Sequence, residues 1–431
     1  MDEDIFDAVV VGGGVAGCVA AYRLASAGHS VVLVERGSEP GAKNLSGGVF
    51  YCRVMEEVFP DFARVAPVER RITRNYVQFL NATSSVGIDY WDDRFADPVN
   101  AVSVLRGRLD PWLSEQCEQA GAFVMPGVRV DGLIFEGEQV VGVRAGEDEL
   151  RARVVILADG VNSFIARDAG IRRKPPAGHL AVGVKSVLGL PRQAIEERFH
   201  LRGDEGVAYA VVGDATQGLA GGGFLYTNTE SISIGVVVRL DDLAASRLSS
   251  SQIHDHFLNH PAYAGLLDGA EPIEYGCHLT IENGPALVRE ELTRPGLMII
   301  GDAAGFTLNT GLTIRGMDLA AGSALAAATA ADAALAAGDF SGAAMARYRA
   351  ELDATFVGRD MRTYERAPKF LENPEMYRQV GELAADVLHR IFDLDTTPRA
   401  HLITTARRAL KASPLSMRAL ARLGVGGTRG L

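Results

Sequence analysis

The chain has 431 residues, 47% apolar and 23% charged, an ordinary globular balance with length enough for a large core in two or three lobes. Its net charge of −11 argues against nucleic acid as a general partner, because phosphates would be repelled. The four cysteines (Cys18, Cys52, Cys117 and Cys277) have no paired spacing, which excludes a disulfide framework and a local Cys-rich iron–sulfur or zinc motif. No metal is expected, and a reducing cytoplasm fits this cysteine usage. The opening MDEDIF is acidic where a secretory start would be basic, so no signal peptide is expected.

The first predicted elements lie in DAVVVGGGVAGCVAAYRLASAGHSVVLVER, residues 7–36. Residues 8–11 form an apolar strand run, and Gly12, Gly14 and Gly17 then make G-x-G-x-x-G. A helix is expected over 19–27 and a second strand over 30–34, ending at Glu35. Gly12 permits the tight turn, Gly14 lets the backbone approach a pyrophosphate, and Gly17 lets the helix pack on the sheet. The helix N-terminus then offers unpaired amides and a positive dipole end to the phosphates. Val15 and Ala16, between the glycines, are counted with these contacts. Glu35 stands twenty-three residues after Gly12, where it can accept hydrogen bonds from the adenosine ribose and repel the extra phosphate of NADP. Arg36 beside it and Val128 further on are taken as neighbours of the same dinucleotide. The motif alone does not separate FAD from NAD.

PGAKNLSGG (40–48) follows as a Gly-rich loop. Lys43 and Asn44 supply polar groups there, while Ser46, Gly47 and Gly48 allow close backbone approach to a bound ring. NYVQFLNATSSVGIDYW reads as strands, rich in aromatic and β-branched residues with polar alternation. ARVVILADGVNSFIARDAG (152–170) is another apolar strand, then Asp159-Gly160, then a helix. GFLYTNTESISIGVVVRL again reads as strands, so one antiparallel sheet is expected over 76–100 and 176–275. The glycines of VVGDATQGLAGGGF (211–224) precede a strand pattern and read as a flexible loop, with no second nucleotide site.

LTRPGLMIIGDAAG then places a strand over 297–300 that ends at Gly301-Asp302. In open α/β sheets ligands lie beyond the carboxyl ends of strands, so Asp302 should share a crevice with Gly12 to Gly17. NAD needs no such distant carboxylate. FAD is longer, and its ribityl hydroxyls give an acceptor something to fix. Asn309 to Ile314, including Gly311, Leu312 and Thr313, is expected to pass along the isoalloxazine, with the long helix starting near Ile314. That helix, mostly Ala from Met317 to Gly338 and interrupted by Asp318 and Asp332, reads as buried, not as a membrane span. The pattern is helical from residue 346, and from Thr396 onward there are seven basic residues and no acid. Such a tail suits an anionic membrane surface or an acidic ferredoxin as well as a solvated helix face.

A strand followed by Gly-Asp, deep in a chain that opens with the dinucleotide motif, resembles the second FAD fingerprint of the glutathione-reductase-type flavoproteins. Asp159-Gly160 resembles the Asp-Gly segment of their hydroxylase-type branch. RGRLDPWL (106–113) resembles that branch's Arg-containing helix start, which implies Arg106 near the pyrophosphate. Four ordered blocks, PGAKNLSGGVFY, HLAVGVKSVLGLP, GGGFLYTNTESISIGVVV and GDAAGFTLNTGLTIRGMDLA, resemble the FixC proteins. These are relatives of electron-transfer flavoprotein–quinone oxidoreductase and, more distantly, of geranylgeranyl reductases.

The resemblance and the patterns together imply an α/β fold. A glutathione-reductase-type FAD-binding Rossmann domain (1–75, 101–175 and 276–345) is interleaved with an antiparallel-sheet substrate or partner domain (76–100 and 176–275). A helical C-terminal region with a basic tail (346–431) completes it. The family implies an FAD enzyme that takes electrons from an electron-transfer flavoprotein heterodimer and passes them to quinone or a ferredoxin-like subunit. The cysteine usage implies a cytoplasmic protein, and the basic tail suits peripheral contact at the inner face of the membrane. Larger relatives carry a C-terminal iron–sulfur domain; this chain has no cysteine after Cys277, as in the FixC arrangement with the cluster on a separate protein. The alternative is a reductase or monooxygenase of a small apolar substrate, on the same fold. No residue is assigned a catalytic role, because the cofactor carries the chemistry. His278 and Tyr226 are candidates for the flavin's neighbourhood, with core packing the favoured reading.

Overall fold

Two sheets organise the chain, and the computed structural model describes residues 5–42, 47–394, 396–415 and 417–430. The first sheet has eight strands, and its main path runs Thr293–Arg294, Leu297–Ile299, Asp148–Leu157, Ile5–Val11, Val31–Glu35, Phe123–Pro126. From Leu297–Ile299 to Phe123–Pro126 every neighbouring pair is parallel. Gln139–Ala145 joins Asp148–Leu157 antiparallel, and Gly132–Glu136 pairs with it. Val9, Val10, Val32, Leu33, Ile156 and Ile299 are fully buried, which is why these strands read as unbroken apolar runs.

The first helix, Val15–Ser26, begins at once after the glycine turn, four residues earlier than the sequence pattern suggests. Gly17 is accommodated inside it. This helix packs against Arg106–Gln119 and against the long helix Met317–Ala337. Met317–Ala337 has the length and hydropathy of a membrane span, yet 67% of its most apolar window is buried inside the fold. Its alanines let neighbouring helices come close, as the buried-helix reading expects. Its start differs from expectation: Leu308–Asn309 and Ile314–Arg315 form a small hairpin, and the helix begins only at Met317. Polar side chains hold that hairpin's turn, with Asn309 Oδ1 accepting from the Gly311 amide at 2.8 Å and Thr310 Oγ1 from the Thr313 amide at 3.1 Å.

The second sheet has nine strands, ordered Glu271–Ile281, Leu180–Gly189, Ser231–Arg239, Gly221–Thr227, Glu205–Gly213, Val68–Asn81, Val102–Val104, Gly48–Phe50, with Ser84–Trp91 also paired on Val68–Asn81. It is antiparallel except where Glu205–Gly213 runs parallel to Val68–Asn81. It begins earlier in the chain than residue 76, and it takes short strands from 48–50 and 102–104. Those short strands bury Phe50, Val102 and Val104 in the same apolar cluster as the first sheet, which joins the two layers. Gly221, Gly222 and Gly223 lie within a strand, not in a loop. From Gly342 onward all regular elements among the described residues are helices.

Candidate cofactor site

The parallel strands Ile5–Val11, Asp148–Leu157 and Leu297–Ile299 are neighbours in the first sheet, and each delivers a polar turn at its carboxyl end. The first turn is the glycine loop. Gly12 has φ +109°, its amide donates to Val34 O at 2.7 Å, and a Cβ there would lie 2.4 Å from Ala158 O. A Cβ on Gly17 would lie 1.8 Å from Gly12 O, so the helix can rest on the loop only without one. Gly14 caps Val15–Ser26 with no side-chain bond to the free amides, which leaves the first-turn amides of Val15, Ala16 and Gly17 for a ligand.

Glu35 closes the next strand. Its Oε2 accepts from the Gly13 amide at 2.8 Å and its Oε1 from the Gly37 amide, so the carboxylate is held beside the loop with lone pairs to spare. The Val128 amide bonds Glu35 O at 2.9 Å, which puts Val128 at the same end, while the neighbouring Arg36 side chain is exposed. Arg106 opens the helix Arg106–Gln119. Asp110, fully buried, grips its guanidinium in two bonds of 2.6 Å, and a Cβ on Gly14 would lie 3.4 Å from Arg106 Nη2. A fixed cation therefore stands against the glycine loop.

The second turn holds Asp159 and Gly160, the latter at φ +78°. Asp159 Oδ1 is buried with no hydrogen-bond partner, and burial pushes its carboxyl up to about 6. The third turn holds Gly301, at φ +59°, where a Cβ would lie 2.8 Å from Ala16 Cβ. Asp302 is thereby brought against the start of the first helix. Burial raises its carboxyl above the ordinary range, with Arg106 and the Thr307 hydroxyl, 3.4 Å from Oδ1, working against that rise. Gly311 (φ +81°), Leu312 and Thr313 form the hairpin turn, where the Leu312 side chain is 63% exposed.

Gly47 and Gly48 lead into the second sheet. A Cβ on Gly47 would lie 2.2 Å from Ser233 Oγ, and one on Gly48 would lie 3.1 Å from Met317 Cε. Lys43, Asn44 and Ser46 lie outside the described residues. Tyr226 is half-buried, and His278 is exposed. Tyr226 stacks on Phe224 at 5.0 Å and 19°, and His278 pairs across the sheet with Gly183. The protein packed around it, then Lys185 and Arg106, lower the His278 imidazole below its ordinary value.

Two groups escaped the sequence reading. Lys185 sits alone in the apolar strand Leu180–Gly189, and its amine reaches Gly47 O at 3.3 Å. The signal was a single cation in AVGVKSV. Glu282, 8% exposed, follows Glu271–Ile281 beside Asn309, and burial pushes it up to about 7.

This arrangement fits FAD. The glycine loop and uncapped helix suit a pyrophosphate, and Glu35 suits a ribose. The orphaned Asp159 oxygen and enclosed Asp302 offer acceptors to further hydroxyls along the same strand ends. The comparisons agree. A family model described as an FAD binding domain matches residues 6–221. The probable electron transfer flavoprotein-quinone oxidoreductase YdiS of Escherichia coli K12 is 48% identical over 399 residues, covering 92% of this chain and 93% of that protein. Protein FixC of Salmonella typhi is 45% identical over 397 residues, covering 92% of each. Among solved structures, a geranylgeranyl bacteriochlorophyll reductase-like protein from Thermoplasma acidophilum shares the fold with a TM-score of 0.73 at 20% identity, covering 98% of this chain and 99% of that one. The myxobacterial FAD-dependent halogenase CndH does so at 0.62 and 20%, covering 99% and 91%. The chain belongs to the family of FixC and the electron transfer flavoprotein-quinone oxidoreductases, and it is an FAD-dependent oxidoreductase.

Proposed function

We propose that this protein takes electrons from a reduced electron-transfer flavoprotein and passes them to quinone or to a ferredoxin-like subunit. The observation that carries this reading is 48% identity across 92% of the chain to a relative named for that reaction. A second feature supports it: the other glycine cluster lies inside the strand Gly221–Thr227, so it does not build a further dinucleotide turn for a tightly held nicotinamide donor. Bound FAD supplies both one-electron and two-electron exchange, which suits a relay between unlike partners.

The chain's own residues bind and orient. In this reading Glu35 accepts from the adenosine ribose, and Val128 and Arg36 flank that end. The Val15 to Gly17 amides and Arg106 hold the pyrophosphate. Asp159 and Asp302 accept from hydroxyls further along, and the Gly47–Gly48 backbone and the Gly311 to Thr313 turn close around the ring. In the C-terminal helical region Phe392, Leu394, Leu402 and Ile403 are all more than 60% exposed, in a segment that also carries Arg390, Arg399, Arg407 and Arg408. This exposed apolar edge, together with the bases of the same segment (Arg390 being paired with Asp386), supports peripheral contact with an anionic membrane, the source of a quinone.

The test is anaerobic mixing of the FAD-loaded protein with either donor. Reduced electron-transfer flavoprotein should bleach the flavin absorbance quickly, and added quinone should restore it. Fast bleaching by NADPH with none from the flavoprotein would overturn the reading in favour of a nicotinamide-driven reductase or monooxygenase.

A further inference from the structure

One face of the second sheet carries Lys185, whose amine reaches Gly47 O, and register fixes who shares that face. Lys185 stands opposite Gly276 on one neighbouring strand and opposite Gly235 on the other; two residues away on its own strand, Gly183 stands opposite His278. Gly235 is in turn opposite Phe224, whose ring stacks with Tyr226. Directly opposed residues lie on the same face of a sheet. The floor around Lys185 is therefore bare glycine, bordered by a stacked aromatic pair and a histidine. A Cβ on Gly235 would lie 2.8 Å from Lys185 Cβ and 2.6 Å from Phe224 Cζ, so the start of the lysine side chain and the ring both border the bare floor at Gly235. Its amine then ends at Gly47 O.

The charges around this amine are one-sided. Arg106 and Lys185 both bear on His278, and Glu274 is the acid that acts on Lys185. Among the described residues Lys185 makes no ion pair, whereas Arg106 is bound by Asp110. Lys185 is half-buried, and a cofactor bound over it would enclose its ammonium with only a carbonyl for a partner, which is costly unless that cofactor brings negative charge. Two-electron reduction of FAD near neutral pH takes up two electrons from the donor and one proton from water. It leaves the ring system with one more negative charge than before.

We infer that Lys185 is the charge-compensating residue of this cleft, its ammonium stabilising the reduced cofactor over the oxidised one. The inference needs only bound FAD, so it stands or falls apart from the identity of the electron partners.

Three variants separate charge from tethering. Lys185→Met keeps the stem and removes the amine, Lys185→Gln keeps a donor for Gly47 O without charge, and Lys185→Arg keeps charge. Two readouts apply: the two-electron midpoint potential, equilibrated anaerobically against reference dyes, and the affinity for sulfite, which adds to the ring and leaves it anionic. Both uncharged variants should favour reduced over oxidised FAD about tenfold less than the parent, a potential lower by about 30 mV. Both should bind sulfite about tenfold more weakly, while Lys185→Arg should stay near the parent on each measure. Unchanged potential and sulfite affinity in Lys185→Gln would overturn the inference, leaving Lys185 a tie between Gly47 and the sheet. If Lys185→Met fails to fold, the Gln and Arg variants still decide the question.

Discussion

Glu282 shows how a single buried acid sets a pH dependence. It lies between the second sheet and the Leu308–Arg315 hairpin, with its amide on His179 O at 2.9 Å. Burial raises its pKa from 4.5 to about 7, with Arg239 and the Asn309 side chain opposing the rise. Between those two values the folded state keeps a proton that the unfolded chain has released. Stability from this group is therefore present at low pH and lost as pH rises, by up to about 3 kcal/mol. Glu282→Gln removes that loss. Urea melts should show the variant gaining most over the parent at about pH 8, and the gain should shrink toward pH 5. A gain that does not vary with pH would mean that Glu282 does not titrate in this range. Residues of this kind were hidden in the sequence. Asp302 was legible because a Gly-Asp pair ends an apolar strand, a local signal. Glu282 and Lys185 take their character from His179, Arg239 and Gly47, which lie far away in the chain.

At the scale of elements, the strand–glycine–helix unit makes two glycines that look alike behave differently. A Cβ on Gly17 would lie 1.8 Å from backbone at Gly12 O, and no side-chain movement relieves that overlap. A Cβ on Gly14 would meet only the Arg106 guanidinium, at 3.4 Å, an ordinary contact. Gly17→Ala should therefore cost about 3 kcal/mol of stability and lose FAD with it. Gly14→Ala should melt within about 1 kcal/mol of the parent, yet bind FAD at least about tenfold more weakly, because its methyl stands where the pyrophosphate must approach. Thermal melts of the FAD-free proteins, paired with FAD titration, check both; equal loss of stability in the two variants would refute the distinction. The elements themselves were largely legible, since buried parallel strands leave unbroken apolar runs. Their ends were less so. The helix expected near Ile314 begins at Met317 because side chains of Asn309 and Thr310 close a hairpin first. The pairing of Gly48–Phe50 and Val102–Val104 with the second sheet left no mark in the sequence, because strands this short carry no period.

Across the described residues, the apolar interior divides into a large cluster around the first sheet, a smaller one under the second, and a third of Leu180, Ile281 and Leu287, with no residue in common. The glycine loop, Glu35, Arg106, Asp159 and Asp302 all rise from the first. FAD binding energy should therefore enter chiefly through the first unit, and reach the second more weakly through Lys185 and through shared pieces such as Gly47 and Phe50. The chain's two tryptophans report the two units separately. Trp112 packs at the edge of the first cluster, with its ring 5.2 Å from Phe59, while Trp91 ends a strand of the second sheet and bonds Glu205 at 3.1 Å. Single-tryptophan variants, Trp91→Phe and Trp112→Phe, then allow each unit to be followed on its own. FAD at about a hundredfold over its dissociation constant adds about 2.7 kcal/mol to whatever unfolds with release of the ligand. The melting midpoint seen through Trp112 should rise by several degrees on adding FAD, and that seen through Trp91 should rise less. Equal shifts through both probes would mean that the two sheets unfold as one cooperative body, and that the cofactor stabilises the second sheet as directly as the first.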